Sequence, residues 1–277
     1  MLGPRPQKPL PNSPYDRWLS PDGYETAQFY RTATGYCVRF PDQADFIIDA
    51  DSLAVEGIPV REDDQDQVLV LFHNSIVPML NNHRGQLHMH GSAVRCGNGA
   101  IGFLGLSRGG KTTLAGAFAR PGHPFLTEDV LSIRHDEDGY TILPSRPVLR
   151  LFRDSAAQLL SRGPAPADEA KIAIPAGSDL PHWSEPCQLS ALFLLGPGKS
   201  ETTSIELMQS AEALTHLMRH SFILDVDDRH RLKAHFGRIA ELAQGTNSFA
   251  LDYPRRYSEL DKVINTVSRL VTGEQND

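Results

Sequence analysis

Cysteine is scarce in this 277-residue chain: Cys37, Cys96 and Cys187 are scattered, odd in number and never spaced as C-x-x-C. That excludes a disulfide framework and a zinc ribbon, and it fits reduced thiols in a cytoplasmic protein. Basic residues are not in surplus either. Lys and Arg number 27 against 34 Asp and Glu, a formal charge of −7 with no run of like sign, which argues against a general nucleic-acid binder. No apolar run approaches the roughly 20 residues of a membrane span, and the N-terminus lacks the apolar core of a signal peptide. Neither membrane nor export is expected, and no internal repeat is found. What remains is a composition of 40% hydrophobic and 22% charged residues, enough for one large domain or two modest ones.

One stretch stands out. Gly105, Leu106, Ser107, Arg108, Gly109, Gly110, Lys111 and Thr112 satisfy G-x-x-x-x-G-K-[ST]. Glycines at these places let successive backbone N–H groups turn inward onto a phosphate. Lys111 would reach the β- and γ-phosphates, and the Thr112 hydroxyl would complete a Mg²⁺ shell. An apolar run over 100–104 predicts a buried strand before the loop, and 112–120 predicts a helix after it, stopped by Pro121-Gly122. A glycine loop leading into a helix N-terminus is an anion site, because unpaired N–H groups and the positive end of the helix dipole meet there.

Residues 1–20 carry five prolines and predict a mobile arm or an extended surface segment. Residues 21–85 read as a small β-rich lobe, with strands near 36–40 and 46–49 and one helix over 68–80, preceded by acidic capping residues. Residues 86–272 form the main unit. There, 86–95 predicts a strand that pairs as a hairpin with the loop strand through the turn at 96–99, so His88 and His90 share a face near the nucleotide site. Taken alone, a hydrogen-bonded core histidine is the plainer reading of that pair. After the helix, 123–129 predicts a short strand ending in Glu128 and Asp129, the place where phosphate-loop proteins put the carboxylate that holds Mg²⁺. Adjacent strand residues face opposite ways, so both acids serve one site only if the strand breaks there. A hairpin follows over 130–143, then a strand over 147–152 and a helix over 154–160. The long stretch 161–186, with Lys171 inside it, predicts a flap over the substrate. Strands over 189–195, 204–207 and 249–253, and helices over 210–222, 227–243 and 258–272, complete the reading. The second helix is expected to turn Leu232, Phe236, Ile239 and Leu242 inward, and Ser258 to open the third through a capping box.

The order of these motifs is H-G-S-A-V, glycine turn, apolar strand, G-x-S-x-x-G-K-T, helix, and a strand ending in two acids. It resembles the catalytic domain of HPr kinase/phosphorylase and the shorter HPr-kinase-like proteins, some of which phosphorylate serine in lasso-peptide precursors. The resemblance is strongest over 85–155. It implies an α/β fold with a phosphoenolpyruvate-carboxykinase-like phosphate-loop core, a small β-rich N-terminal lobe and a helical C-terminal part. It implies ATP- and Mg²⁺-dependent transfer of a phosphoryl group to a hydroxyl. Gly105, Ser107, Arg108, Gly109, Gly110, Lys111, Thr112 and Thr113 would bind the nucleotide. His90, Lys111, Glu128 and Asp129 would be catalytic, with Glu128 as base, and Thr112 and Asp129 would hold the metal. The sequence departs from the family pattern at Arg108, Gly109, Thr113 and Glu128, and it lacks the glycine- and arginine-rich loop associated with dephosphorylation. The part before the loop is too short for the extra regulatory domain of the bifunctional enzymes. The acceptor is expected to be a Ser/Thr hydroxyl of a peptide or small protein. A metabolite kinase and a non-catalytic nucleotide-binding regulator are the alternatives, and a homo-oligomer is left open.

Overall fold

The computed structural model describes residues 1–20, 22–119, 122–160 and 171–273. It is a mixed α/β structure in two compact units, Met1–Gly85 with Phe222–Ala234, and Gln86–Ser221 with His235–Asp277. Among the described residues no helix is long and apolar enough to cross a membrane.

The first unit is a five-stranded antiparallel meander, β1 (Asp16–Leu19), β2 (Glu25–Arg31), β3 (Gly35–Phe40), β4 (Ala44–Asp49) and β5 (Val55–Pro59), in sequence order. Strand β4 shows why it forms: Ala44, Phe46 and Ile48 alternate inward with polar or half-buried neighbours between them. The expected arm is corrected in part. Asp16–Leu19 pairs with β2, and the proline-rich chain before it lies extended along β5, where Leu2 and Arg5 donate backbone bonds to Gly57 and Pro59. Proline leaves this segment few donors of its own, so an existing sheet edge supplies its partners.

The single helix expected over 68–80 is two helices, α1 (Gln65–Leu71) and α2 (Val77–His83), joined by a π turn over Phe72–Ile76. Pro78 explains the interruption. It has no N–H to give the carbonyl four residues back, and the backbone widens so that the Val77 N–H reaches Phe72. The segment Phe222–Ala234 is fastened to this unit by Asp225. Arg31 donates two bonds to its carboxylate (2.6 and 2.9 Å), and the Tyr36 hydroxyl adds a third at 2.9 Å.

The second unit holds the long antiparallel pair β6 (Leu87–Cys96) and β7 (Gly99–Leu104), then α3 (Lys111–Phe118), β8 (Phe125–Thr127), β9 (Val130–Asp136), β10 (Gly139–Leu143), β11 (Val148–Phe152), α4 (Arg153–Leu159), β12 (Lys171–Pro175), β13 (Cys187–Leu195), β14 (Ser204–Leu207), α5 (Ser210–Arg219), α6 (Arg229–Gly245, its first residues in the first unit), β15 (Asn247–Asp252) and α7 (Leu260–Thr272). The main sheet runs β10-β9-β6-β7-β13-β15-β14, with β7, β13 and β15 mutually parallel and the other neighbours antiparallel. Both faces of its centre are buried. Ile101, Phe103, Ala191 and Phe193 pack toward α3 and α7, while Ala100, Leu104, Leu192 and Leu194 pack toward Leu217, Ile239 and Leu242. The phosphate loop therefore leaves a central strand covered on both sides.

Three further expectations are corrected. Residues 161–170 lie outside the described residues, but Lys171–Pro175 is strand β12, paired residue for residue with β11, so Lys171 sits on a ribbon and not on a flap. In α6, Phe236 is exposed and His235 takes the inward place, its Nε2 in a short contact with the Ser221 hydroxyl. Helix α7 is preceded by a 3₁₀ turn, Tyr257–Glu259, and Ser258 does not cap it. The Tyr257 hydroxyl is held at Asp154 and Ser155, which fixes that turn ahead of the helix.

Candidate functional site

Everything at the site follows from how β6 is shared. Its first half pairs with β9 and its second half with β8, and the gap between them is bridged by Glu128 and Asp129. The chain breaks there with Asp129 at φ +61°, a left-handed conformation uncommon for a residue with a side chain. The break is pinned from both sides. Gly91 N–H donates to the Asp129 carbonyl at 3.2 Å, and His90 Nδ1 lies 2.9 Å from the same oxygen. A carbonyl only accepts, so the proton is on Nδ1 and Nε2 carries the lone pair. Because the strand breaks, neighbouring acids turn to a common place: Lys171 Nζ is 3.0 Å from Asp129 Oδ1 and 3.9 Å from Glu128 Oε2.

The loop itself is built by two left-handed residues, Arg108 at φ +61° and Gly110 at φ +88°, which bring it round to the N-terminus of α3. At Gly110 a side chain would be strained in this conformation. Lys111 is buried, and its ammonium is folded back on the loop, donating to the carbonyls of Gly105 (2.8 Å) and Leu106 (2.9 Å). The Thr112 hydroxyl lies 3.4 Å from Glu128 Oε2, whereas the Thr113 hydroxyl turns to Ser155 at 3.1 Å.

These residues surround one cavity of about 560 Å³, within the range of small-molecule sites. Of the residues singled out from the sequence, His90, Ser107, Arg108, Gly109, Gly110, Lys111, Thr112, Thr113 and Asp129 line it; Glu128 lies behind Thr112 and Gly105 at the base of the loop. His88, its partner in the sequence reading, is buried and is not part of the lining. The lining also includes Arg150, Phe152, Asp154, Ser155 and Lys171. Arg150 and Phe152 alternate with the core residues Leu149 and Leu151 on β11, and Phe152 is the cross-strand neighbour of Lys171. Alternation in V-L-R-L-F marks Arg150 as facing away from the core, but only the pairing with β12 shows that it faces the acids. Its guanidinium is 3.9 Å from Asp129.

The electrostatics are unbalanced. Burial pushes the Glu128 carboxyl well above the usual range, and the neighbouring Asp129 charge pushes it further. For Asp129 burial works in the same direction but is outweighed by Lys171, His90 and Arg150, which hold it low and ionised. Burial also brings Lys111 down to about 8 and His90 to about 4, so His90 is neutral at physiological pH. Lys111 and His90 both line the cavity, and perturbed groups in a cleft are one mark of functional sites. Thr112 and Glu128 offer hard oxygen donors side by side. Oxygen donors of this kind are the type that Mg²⁺ takes, and among the described residues there is no cluster of three or more His, Cys, Asp or Glu that could hold a metal.

No protein-family profile matches the chain, and no curated protein matches it. Among solved structures the chain is similar to the HPr(Ser) kinase/phosphatase from Coxiella burnetii, at 12% sequence identity and a TM-score of 0.37, over 67% of this chain and 92% of that one. A likeness of that size assigns no activity.

Proposed function

We propose that this chain is an ATP-dependent phosphotransferase with a phosphoenolpyruvate-carboxykinase-like core, which moves the γ-phosphoryl group to a Ser or Thr hydroxyl of a peptide or small protein. One observation carries the reading: a phosphate loop with a buried lysine shares a single cavity wall with a strand break that offers an ionised carboxylate flanked by two cations. The loop N–H groups would cradle the phosphates, and Lys111 would exchange its carbonyl partners for β- and γ-phosphate oxygens. Mg²⁺, held by Thr112 and Glu128, would neutralise charge on the phosphates during transfer. The 3.4 Å approach of Glu128 to Thr112 favours Glu128 over Asp129 for that task. Asp129, which lines the cavity, would receive the acceptor hydroxyl and its proton. A carboxylate of low pKa suffices, because a loose phosphoryl-transfer transition state asks little of its base and much of positioning. Lys171 and Arg150 would hold Asp129 in place, and neutral His90 would fix the break that aims it.

The peptide acceptor rests on the resemblance of the motifs, and a small metabolite is the alternative. The test is mass spectrometry of short Ser- and Thr-containing peptides, lasso-peptide precursors among them, and of free amino acids and sugars, each with ATP and Mg²⁺. An added phosphate on a peptide hydroxyl, absent with Asp129→Asn, is the expected result. Phosphate on a free metabolite alone overturns the acceptor, and nucleotide binding without transfer to any acceptor favours a regulator.

A further inference from the structure

Four residues of the cavity lining, Leu151, Phe152, Asp154 and Ser155, have no part in the phosphoryl transfer described above. Two of them are held in place. The Tyr257 hydroxyl donates to Asp154 Oδ2 at 3.0 Å and lies 3.1 Å from Ser155 Oγ, which in turn lies 3.1 Å from Thr113 Oγ1. Burial raises the Tyr257 pKa, so the phenol keeps its proton and acts as a donor. The chain Asp154–Tyr257–Ser155–Thr113 thus ties one end of the cavity to the phosphate loop.

The polarity of the loop says which end it is. Successive residues of an α-helix are turned by about 100°, so Thr112 faces Glu128 while Thr113 faces Ser155. The β- and γ-phosphates belong with Lys111 and Thr112. The remainder of the donor therefore extends on the side of Thr113, toward Ser155 and Asp154. A carboxylate there repels phosphate and accepts hydrogen bonds from neutral hydroxyls. The hydroxyls next along a nucleotide are those of its ribose, which carboxylates bind in dinucleotide folds.

We infer that Asp154, oriented by Tyr257, receives the ribose hydroxyls of the phosphoryl donor, so that the donor is a ribonucleoside triphosphate and not an inorganic polyphosphate. This rests on the phosphate-site reading above. The experiment is calorimetric titration of MgATP, Mg-2′,3′-dideoxy-ATP and magnesium tripolyphosphate into wild type, Asp154→Asn, Tyr257→Phe and Lys111→Ala. Wild type is expected to bind ATP about tenfold tighter than the dideoxy analogue, the worth of a hydrogen bond to a charged group. Asp154→Asn should lose that discrimination and bind tripolyphosphate as wild type does, and Tyr257→Phe should lose part of it. Equal affinity of wild type for the two nucleotides overturns the inference, as does discrimination that survives in Asp154→Asn. A parallel loss of tripolyphosphate binding in Asp154→Asn also overturns it, since that marks a merely structural role. Lys111→Ala reports separately: if it binds both ATP and tripolyphosphate like wild type, the phosphate-site reading itself fails.

Discussion

Two clusters of buried charge among the described residues, one in each unit, are built to opposite ends. In the first unit Asp225 accepts from Arg31 twice, from Tyr36, and from the backbone N–H groups of Asp227 and Asp228. Burial alone would raise its pKa, yet these donors bring it down to about 2. Its charge is fully answered by the protein. In the second unit burial pushes Glu128 up and brings Lys111 down to about 8, each shifted toward its neutral form. Among the described residues the Lys111 ammonium donates to two backbone carbonyls, and Glu128 has the Thr112 hydroxyl at 3.4 Å and Lys171 at 3.9 Å beside a second acid. A cluster satisfied from within holds chain segments together. On the proposed reading, the cluster left unbalanced beside the cavity would be completed by a ligand that brings phosphate oxygens to the lysine and a cation to the carboxylate.

The sharpest way to break this contrast is at the acids. Asp129→Asn is expected to slow transfer by ~10²–10⁴-fold, the usual worth of a positioned base, with nucleotide affinity nearly unchanged. Glu128→Gln should instead weaken binding of MgATP by about tenfold, roughly one charge-assisted interaction, while free ATP binds as before. Steady-state kinetics and calorimetry on both variants decide it. Exchanged phenotypes would return the metal to Asp129 and the base to Glu128, as expected from the sequence.

The first unit gives a smaller, opposite test. Asp225→Asn should leave transfer unchanged and lower the unfolding free energy by about 1 kcal/mol, less than a fully buried charged pair because Arg31 is 43% exposed. The sign with pH is set by the lowered pKa. The contribution is complete above an unfolded carboxylate's ~3.9 and is lost as pH falls toward about 2. Denaturation at pH 7 and at pH 2.5 should therefore show a clear difference from wild type at the first and a much reduced one at the second. An equal difference at both would mean that Asp225 acts by shape and not by charge.

What was legible in the sequence is what is local. Eight consecutive residues write the phosphate loop, and the apolar run before it and the helix after it are set by their own periodicity. The hairpin of β6 and β7 follows from a glycine turn between two apolar stretches. The proximity of Arg150 and Lys171 to the acids was not legible, because it depends on β12 returning to pair with β11 across the residues between them. Lys171, read alone, suited a flap. The break at Asp129 was legible only as a condition, that both acids share a site if the strand ends there. Asp129 meets it because β6 passes from β9 to β8 at that point, a fact of tertiary pairing. Asp154 and Ser155 read as an ordinary helix start, and their link to Thr113 through Tyr257 spans distant parts of the chain.

If the unbalanced cluster binds a nucleotide, Lys111 is the residue whose loss should show it. Calorimetric titration of MgATP into wild type and Lys111→Ala, with melting temperatures recorded for both, is the measurement. One nucleotide is expected to bind per wild-type chain, with at least a hundredfold loss of affinity in the variant, on the order of the 2.7 kcal/mol that two tenfold steps represent. The melting temperature of the ligand-free variant should be unchanged or raised, since a buried charge has been removed. Equal MgATP affinity in the two proteins would contradict it.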